Sequence, residues 1–467
     1  MDKSTAVDFF CSGVLTDSTD RSESLMNDSF LDYYRCPERF IRFQRKGPLS
    51  STSGFFRFGD DATCYGSYFG IVPTEVLTDR LHDAKADVAL DNGTIYLPFD
   101  PSEVAHNLRY EIYAADWRGK FPLSALSKLY YFVRPMLPVR VRKHLQKFHL
   151  ITRGNRPFPR WPVDFSVDNL LGQLMLLVLK SNRIDRLPFI WFWPDRAPSA
   201  AIMTHDVETE QGRGFCSALM DINSSFDIRS SFQLIPEQRY VVTQEFLNSI
   251  RQRGFEVAVH DLNHDGHLYK NRRQFLERVP KINSYGKQYN ANGFRAGVLY
   301  RRQIWYDALD FSYDMSVPNV ANFDPQHGGC CTVIPYFLGR VLELPVTTTQ
   351  DYTLFHLLND YSIDLWKQQI ELIMNKHGLV SVIVHPDYIM QSREQDIYKA
   401  LLGHLIQLRK EKSLWITTPG EINHWWRQRA EMKLVEDGNT WKIEGPGNER
   451  ASVAFASERD GKLVFTF

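Results

Sequence analysis

After Pro198 the chain alternates short apolar runs with helix-like segments, and this alternation narrows the fold more than any other feature. The apolar runs are AAIMTHD, SSFQLI, FEVAVHD, NGFRAG, VLELPVT, LVSVIVH and SLWITT. Each has the length of a buried strand. Helix candidates lie between them, among them VVTQEFLNSIRQRG and SIDLWKQQIELIMNKHG. Strand and helix alternating at this spacing predict parallel βαβ units, and of the two arrangements open to such units we expect a barrel rather than a doubly wound sheet.

In a parallel α/β barrel the reactive groups sit at the carboxyl ends of the strands, so the polar residues that end each apolar run are the informative ones. AAIMT ends in His205-Asp206-Val207-Glu208, and FEVAV ends in His260, with His264 four residues on. NGF ends in Arg295, VLELPVTTTQ in Asp351-Tyr352, and LVSVIV in His385-Pro386-Asp387. Two histidines at i and i+4 can share one face of a helical turn and hold a metal ion, with a carboxylate from another strand completing the ligand set. A divalent ion so held lowers the pKa of a water in its open position. HxxxH alone is a weak signal. Here His260 ends a strand and an acidic pair ends an earlier one, which strengthens it.

MTHDVE, FEVAVHDLNH, GFRAGVLY, TTQDY and SVIVH occur in the order of the five motifs of the polysaccharide deacetylase family, the NodB-like carbohydrate esterases, and the chain resembles that family over about residues 198 to 425. The resemblance implies a distorted (β/α)7 barrel and metal-assisted hydrolysis of an N- or O-acetyl group on a glycan. It matches Asp206 to the general base, Glu208 to the acid that joins His260 and His264 on the metal, Arg295 to the residue that orients Asp206, His385 to the general acid, and Asp351 to the carboxylate that keeps His385 protonated. The implied cofactor is a divalent metal ion, Zn first, with Co, Ni or Mn as substitutes, and the implied partner is an acetylated amino sugar glycan. The chain departs from the commonest first motif, which has adjacent aspartates, because Val207 separates Asp206 from the longer Glu208. Either acid is therefore open to being the ligand. Arg295 is followed by Ala-Gly instead of proline, and Tyr352 stands where a tryptophan is common.

Other polar residues near these motifs have plainer expected roles. His205 reads as a satisfied core histidine, His267 as a solvent histidine, and Asp314 as the cap of a turn. Glu343 and Asp387 read as structural salt-bridge partners, and Trp425 and Trp426 as packing beneath the barrel.

Residues 1–190 read as a mixed α/β region, 191–428 as the barrel, and 429–467 as a small β-rich appendage broken by Asp-Gly and Gly-Pro-Gly turns. Within the first region, Asp91-Asn92-Gly93 predicts a tight hairpin, and SVDNLLGQLMLLVLKSNR predicts a helix. The stretch at 124–150 reads as an aromatic helix interrupted by Pro135 and Pro138 and followed by a basic amphipathic segment. Its basic part is expected to be a solvated face, with an anionic glycan or membrane surface as the alternative. Lys plus Arg and Asp plus Glu both count 55, so no global field recruits nucleic acid. The N-terminus lacks a sustained apolar stretch, and no apolar run approaches the roughly 20 residues that span a bilayer. A cytoplasmic protein is expected, open to a peripheral-membrane or glycan-assembly partner. The six cysteines form no CxxC pair, which argues against a disulfide framework or a thiolate zinc site, and vicinal Cys330 and Cys331 are expected to be reduced and partly buried. Two other functions remain open: a catalytically degenerate glycan-binding barrel and a hydrolase of small non-sugar amides.

Overall fold

The computed structural model describes residues 18–71, 73–114 and 157–467, so Cys11 and the basic stretch at 124–150 lie outside the described residues. Short strands open the fold: β1 (Phe43–Arg45), β2 (Gly54–Arg57), β3 (Thr63–Gly66), β4 (Ala89–Asp91) and β5 (Thr94–Leu97). β4 and β5 form the predicted hairpin, turning through Asn92 (φ 46°) and Gly93 (φ 84°), the left-handed pair that a two-residue turn requires. The helix predicted around SVDNLLGQ spans Ser166–Asn182 and buries its leucines against this region. β6 (Arg186–Ile190) then leads into the barrel.

All seven predicted strands are present: β7 (Ala200–Val207), β8 (Ser231–Leu234), β9 (Glu256–His260), β10 (Gly293–Arg295), and, beyond two that sequence reading passed over, β13 (Val341–Glu343), β14 (Leu379–Ile383) and β15 (Trp415–Thr417). The two passed over are β11 (Tyr313–Asp314) and β12 (Tyr336–Leu338), which are too short to stand out as apolar runs. Together they form one nine-stranded sheet of order β12-β13-β11-β10-β9-β8-β7-β14, with β15 on β7. Only the edge strand β12 runs antiparallel. Every residue of β7 is buried, which is why parallel strands read as continuous apolar runs rather than alternating ones.

Two devices curl this sheet into a barrel. β7 shares one edge between two partners, β15 along Ala200–Ile202 and β8 along Thr204–Val207, while β14 occupies the other edge. The chain leaving β13 then meets β14 through threonine side chains: Thr347 Oγ1 donates to Leu379 O (2.7 Å) and accepts from Ser381 N (2.9 Å), and Thr348 Oγ1 donates to Ser381 O (2.8 Å). Hydroxyls thus stand in for part of a strand ladder at the seam.

The last strands are β16 (Lys433–Asp437), β17 (Thr440–Glu444), β18 (Val453–Arg459) and β19 (Lys462–Thr466). β18 pairs antiparallel with β6, so the C-terminal strands are built onto chain that precedes the barrel. Arg429 fastens this junction, donating to the carbonyls of Trp191 (3.0 Å), Tyr33 (2.9 Å) and Ile190 (2.8 Å). Trp425 and Trp426 are buried, with Trp425 Nε1 donating to Phe192 O. Among the described residues no helix is long and apolar enough to cross a membrane.

At the amino end of the barrel, Glu256 accepts from the Tyr313 hydroxyl and from Gly420 N (2.9 Å) at the start of the helix Pro419–Glu431. Burial pushes its carboxyl up to about 7, against the opposing pull of the Gly420 amide. A carboxyl whose folded pKa lies above its unfolded value contributes stability that is full below the unfolded value and is lost as pH rises through the folded one. Glu256→Gln, which mimics the protonated group, should therefore gain thermal stability relative to the parent chain as pH rises from 5 to 8.5. A pH-independent difference in Tm would contradict this.

Candidate metal centre

Strand alternation sorts the end of β7. Thr204 and Asp206 point into the barrel, and His205 points out towards the helix Glu210–Ser225. His205 Nδ1 faces Val384 O (2.9 Å) and Nε2 faces Asn223 Nδ2 (2.9 Å), so it is a buried, satisfied, neutral histidine, and burial lowers its pKa to about 4. Asp206 Oδ1 accepts from Arg295 Nη1 at 2.6 Å, and the same nitrogen donates to Thr204 Oγ1 at 2.9 Å. Arg295 Nε donates to Met315 O (2.9 Å) beyond β11, so the guanidinium bridges three strands across the barrel.

His260 ends β9 beside Arg295, and its Nδ1 lies 3.1 Å from Arg295 O. That nitrogen must carry the proton, which leaves Nε2 with a free lone pair. His264 does not reach it through a helical turn, as the spacing predicted. Asp261 (φ 58°) and His264 (φ 55°) instead adopt left-handed backbone, which folds the loop back and brings the two imidazoles to 4.9 Å between ring centroids. Single left-handed non-glycine residues of this kind concentrate at functional sites.

Glu208 Oε1 is the meeting point of the cluster, 3.0 Å from His264 Nε2, 3.6 Å from His385 Nε2 and 3.9 Å from His260 Nε2. Asp206 Oδ2 lies 3.8 Å from His260 Nε2. On the far wall, His385 donates from its backbone N to Asp351 Oδ2 (2.7 Å), and its Nδ1 lies 2.7 Å from Asp351 Oδ1. Asp206, Glu208, His260, His264, Arg295, Asp351 and His385 therefore form one continuous constellation, although they come from five separate strand ends.

Electrostatics sorts these groups. Burial alone would protonate both acids, yet Arg295 holds Asp206 below its usual value, and the three histidines hold Glu208 well below the usual carboxylate range. Burial would strip the proton from His385, but Asp351 and then Glu208 raise its pKa well above that of a free imidazole. The site thus presents two carboxylates and a protonated histidine on opposite walls.

Among the described residues, Glu208, His260 and His264 offer ligand atoms that all lie within 4.8 Å of one another. Among the described residues, the buried His260 Nε2 and His264 Nε2 face carboxylate oxygens of Glu208 and Asp206 at 3.0 to 3.9 Å, so the donor atoms converge on one point. Two imidazole nitrogens and one ionised carboxylate make a donor set suited to a zinc-type ion with an open coordination position. The residues fit a metal.

Several supports carried no readable signal in the sequence. Asp387, expected in a salt bridge, instead accepts from the Thr209 hydroxyl and from Glu208 N (3.4 Å), fixing the segment that carries Glu208. Thr209 in turn caps the helix Glu210–Ser225 through Gly212 N (3.1 Å). Asp261 was passed over, and its Oδ2 is buried beside His264. Among the described residues Glu343 forms no salt bridge either. It stands opposite Asp314 on the neighbouring strand, and burial followed by the Asp314 charge raises its carboxyl well above the ordinary value. Asp314 caps the turn at Ser316 as expected (2.9 Å). His267 is a solvent histidine, 56% exposed. Cys330 and Cys331 are free and fully buried.

No family model matches the chain, and no curated protein matches it. Solved structures do. A candidate polysaccharide deacetylase from Mycobacterium smegmatis is 16% identical with a TM-score of 0.43, covering 54% of this chain and 98% of that one. Puue allantoinase is 12% identical with a TM-score of 0.39, over 50% and 92%. Peptidoglycan deacetylase PdaC from Bacillus subtilis is 11% identical with a TM-score of 0.31, over 51% and 95%.

Gly297 faces the histidine loop, and a Cβ there would lie 2.6 Å from Asp261 Oδ2 and 2.9 Å from His264 Cδ2. Gly297→Ala should therefore displace His264 and weaken Zn2+ binding by roughly tenfold or more, the scale of changes to groups that hold metal ligands, with the circular dichroism spectrum unchanged. Calorimetric titration giving the parent affinity would show that the loop yields freely.

Proposed function

We propose that this chain is a divalent-metal-dependent hydrolase that removes the acetyl group from an N-acetylated amino sugar in a glycan. One observation carries the reading: a three-ligand cluster is flanked on one side by an arginine-held carboxylate and on the other by an aspartate-held histidine. The choice of a glycan acetyl group rests on the five ordered motifs in the sequence. The chemistry is assigned to the barrel at 191–428, with the flanking regions as its frame.

Glu208, His260 and His264 would hold the ion, which supplies Lewis acidity to a bound carbonyl and to water. Zn2+ is the first candidate, with Co2+, Ni2+ and Mn2+ as substitutes. Glu208 is assigned as the ligand acid because it approaches both histidines, whereas one oxygen of Asp206 is committed to Arg295. Asp206, ionised and oriented, accepts the proton from the attacking water. His385 stands on the opposite wall with a proton on Nε2, because Nδ1 is committed to Asp351. That proton goes to the amide nitrogen as the C–N bond breaks, so acetate and a free amine leave. General acid–base groups so placed are each worth roughly 10²–10⁴ in rate.

Acetate release from N-acetylglucosamine oligomers tests this directly. Release should stop on chelation and return with Zn2+. His264→Ala should lose both metal and release, while Asp206→Asn should keep the metal and lose release by roughly 10²-fold or more. Metal lost in both variants would move Asp206 into the ligand set. Release that survives complete removal of metal would refute the reading.

A further inference from the structure

Two of the three proposed ligands stand outside regular structure. Glu208 follows the last residue of β7, and His264 lies four residues beyond the end of β9 in left-handed backbone (φ 55°). Neither owes its position to a strand ladder. One segment reaches the chain around both, the loop that runs from the end of β8 to the helix Gln244–Gln252.

The histidine loop turns the consecutive carbonyls of Leu262, Asn263 and His264 towards this segment. Glu237 N donates to Leu262 O (3.0 Å). The Arg239 guanidinium takes the other two, donating from Nε to Asn263 O (3.3 Å) and from Nη2 to His264 O (2.8 Å). Successive carbonyl dipoles facing one way make a small patch of negative potential. A planar cation with a fixed fork of donors spans it, whereas a single ammonium does not. Gln238, itself left-handed at φ 69°, turns the chain immediately before Arg239.

The next residue serves the other ligand. Tyr240 is buried, and its hydroxyl accepts from Ile235 N (2.9 Å) and donates to Val207 O (2.7 Å). That carbonyl belongs to the peptide whose nitrogen is Glu208 N. Adjacent residues of one loop therefore fasten the two ligand segments, and they do so from a strand that supplies no ligand.

Arg239 is the more informative of the two because it is an exposed residue. Holding a long, exposed side chain in one geometry costs rotamer entropy. A fixed cation close to a metal site also repels the ion. Charge alone thus gives the metal centre no use for an arginine here, and the geometry that its two bonds impose on the His264 backbone is what the site gains.

We propose that Arg239 is a positioning residue of the metal centre: by holding the Asn263 and His264 carbonyls it sets the His264 imidazole where one ion can bind it together with Glu208 and His260, while Tyr240 steadies the Glu208 segment from the same loop. The inference rests on the metal-site part of the reading above and not on the acetylated glycan. It makes the loop after β8 the element that sets how tightly the ion is held.

The test uses the full chain stripped of metal, with Zn2+ titrated calorimetrically into the parent, Arg239→Ala, Arg239→Lys and Arg253→Ala. The last removes an arginine paired with Asp221 ahead of β9, at the amino end of the barrel, and controls for the loss of an arginine elsewhere. Arg239→Ala should weaken Zn2+ binding by roughly tenfold, the scale of changes to groups that support a metal ligand, with the melting temperature of the metal-free chain unchanged. The sign is diagnostic, because loss of the positive charge alone would tighten binding. Arg239→Lys, which can reach one carbonyl but not span two, should fall between parent and Arg239→Ala. Guanidinium ion added to Arg239→Ala, below the concentration that unfolds the chain, should restore part of the affinity, and Arg253→Ala should match the parent. Parent or tighter Zn2+ binding in Arg239→Ala would overturn the inference, as would a loss that Arg253→Ala shares or one that tracks a lower melting temperature and resists guanidinium. A parent chain that takes up no Zn2+ would overturn the metal assignment and this inference with it. Zn2+ binding that depends on Arg239 in a chain that releases no acetate would leave the inference standing and refute the deacetylase reading.

Discussion

The buried pair Arg295–Asp206 sets the geometry of everything around it. Arg295 is fully buried and Asp206 is 3% exposed, so both charges have left water, and their 2.6 Å contact with the further bonds from Arg295 Nη1 and Nε offsets that cost, although Nη2 has no hydrogen-bond partner among the described residues. Removing one partner of such a pair costs about 3–5 kcal/mol, because the other stays buried and unpaired. Both ends of Arg295 work for the site. Its guanidinium orients Asp206 and ties β7 to the chain beyond β11, while its backbone carbonyl receives His260 Nδ1 and Asp261 N (2.8 Å). One residue therefore orients the proposed base and fixes which nitrogen of His260 is free to ligate.

The opposite wall follows the same logic with different groups. Asp351 holds His385 from both its backbone and its ring, and Asp387 holds the backbone and neighbour of Glu208. Backbone strain gathers where these walls meet. Asp261, His264, Val298 and Leu299 all adopt left-handed conformations, which for a β-branched residue such as Val298 is a true outlier. Strain of this kind persists only where the surroundings over-determine it. Part of that constraint here is the buried Arg301, which pairs with Glu111 and donates from Nη1 to Leu299 O (2.9 Å).

The barrel was legible because parallel strands buried on both faces read as unbroken apolar runs, and β7, β9 and β14 are such runs. The seven positions of the constellation were legible for a related reason: each is a polar residue at the end of such a run or within a few residues past it. Spacing could not show that His264 arrives through left-handed backbone rather than a helical turn, since HxxxH is the same string in both. Nor could it show Asp387 reaching back to Glu208, or β18 pairing with β6, because those contacts join residues far apart in the chain. β11 escaped notice at two residues long, and so the pairing of Asp314 with Glu343 across it did too. Trp161 lay in proline-rich sequence with no periodicity, and only the structure shows it packed edge-to-face on Phe323 at 4.9 Å.

The central claim is that Glu208, His260 and His264 together hold one metal ion. Anomalous diffraction at the zinc absorption edge, from crystals of protein prepared without chelator and supplied with Zn2+, tests it most directly. The account predicts a single strong peak bonded to His260 Nε2, His264 Nε2 and a Glu208 oxygen, with Asp206 still on Arg295. A peak bonded to Asp206 in place of Glu208, or no peak among these residues, would contradict it.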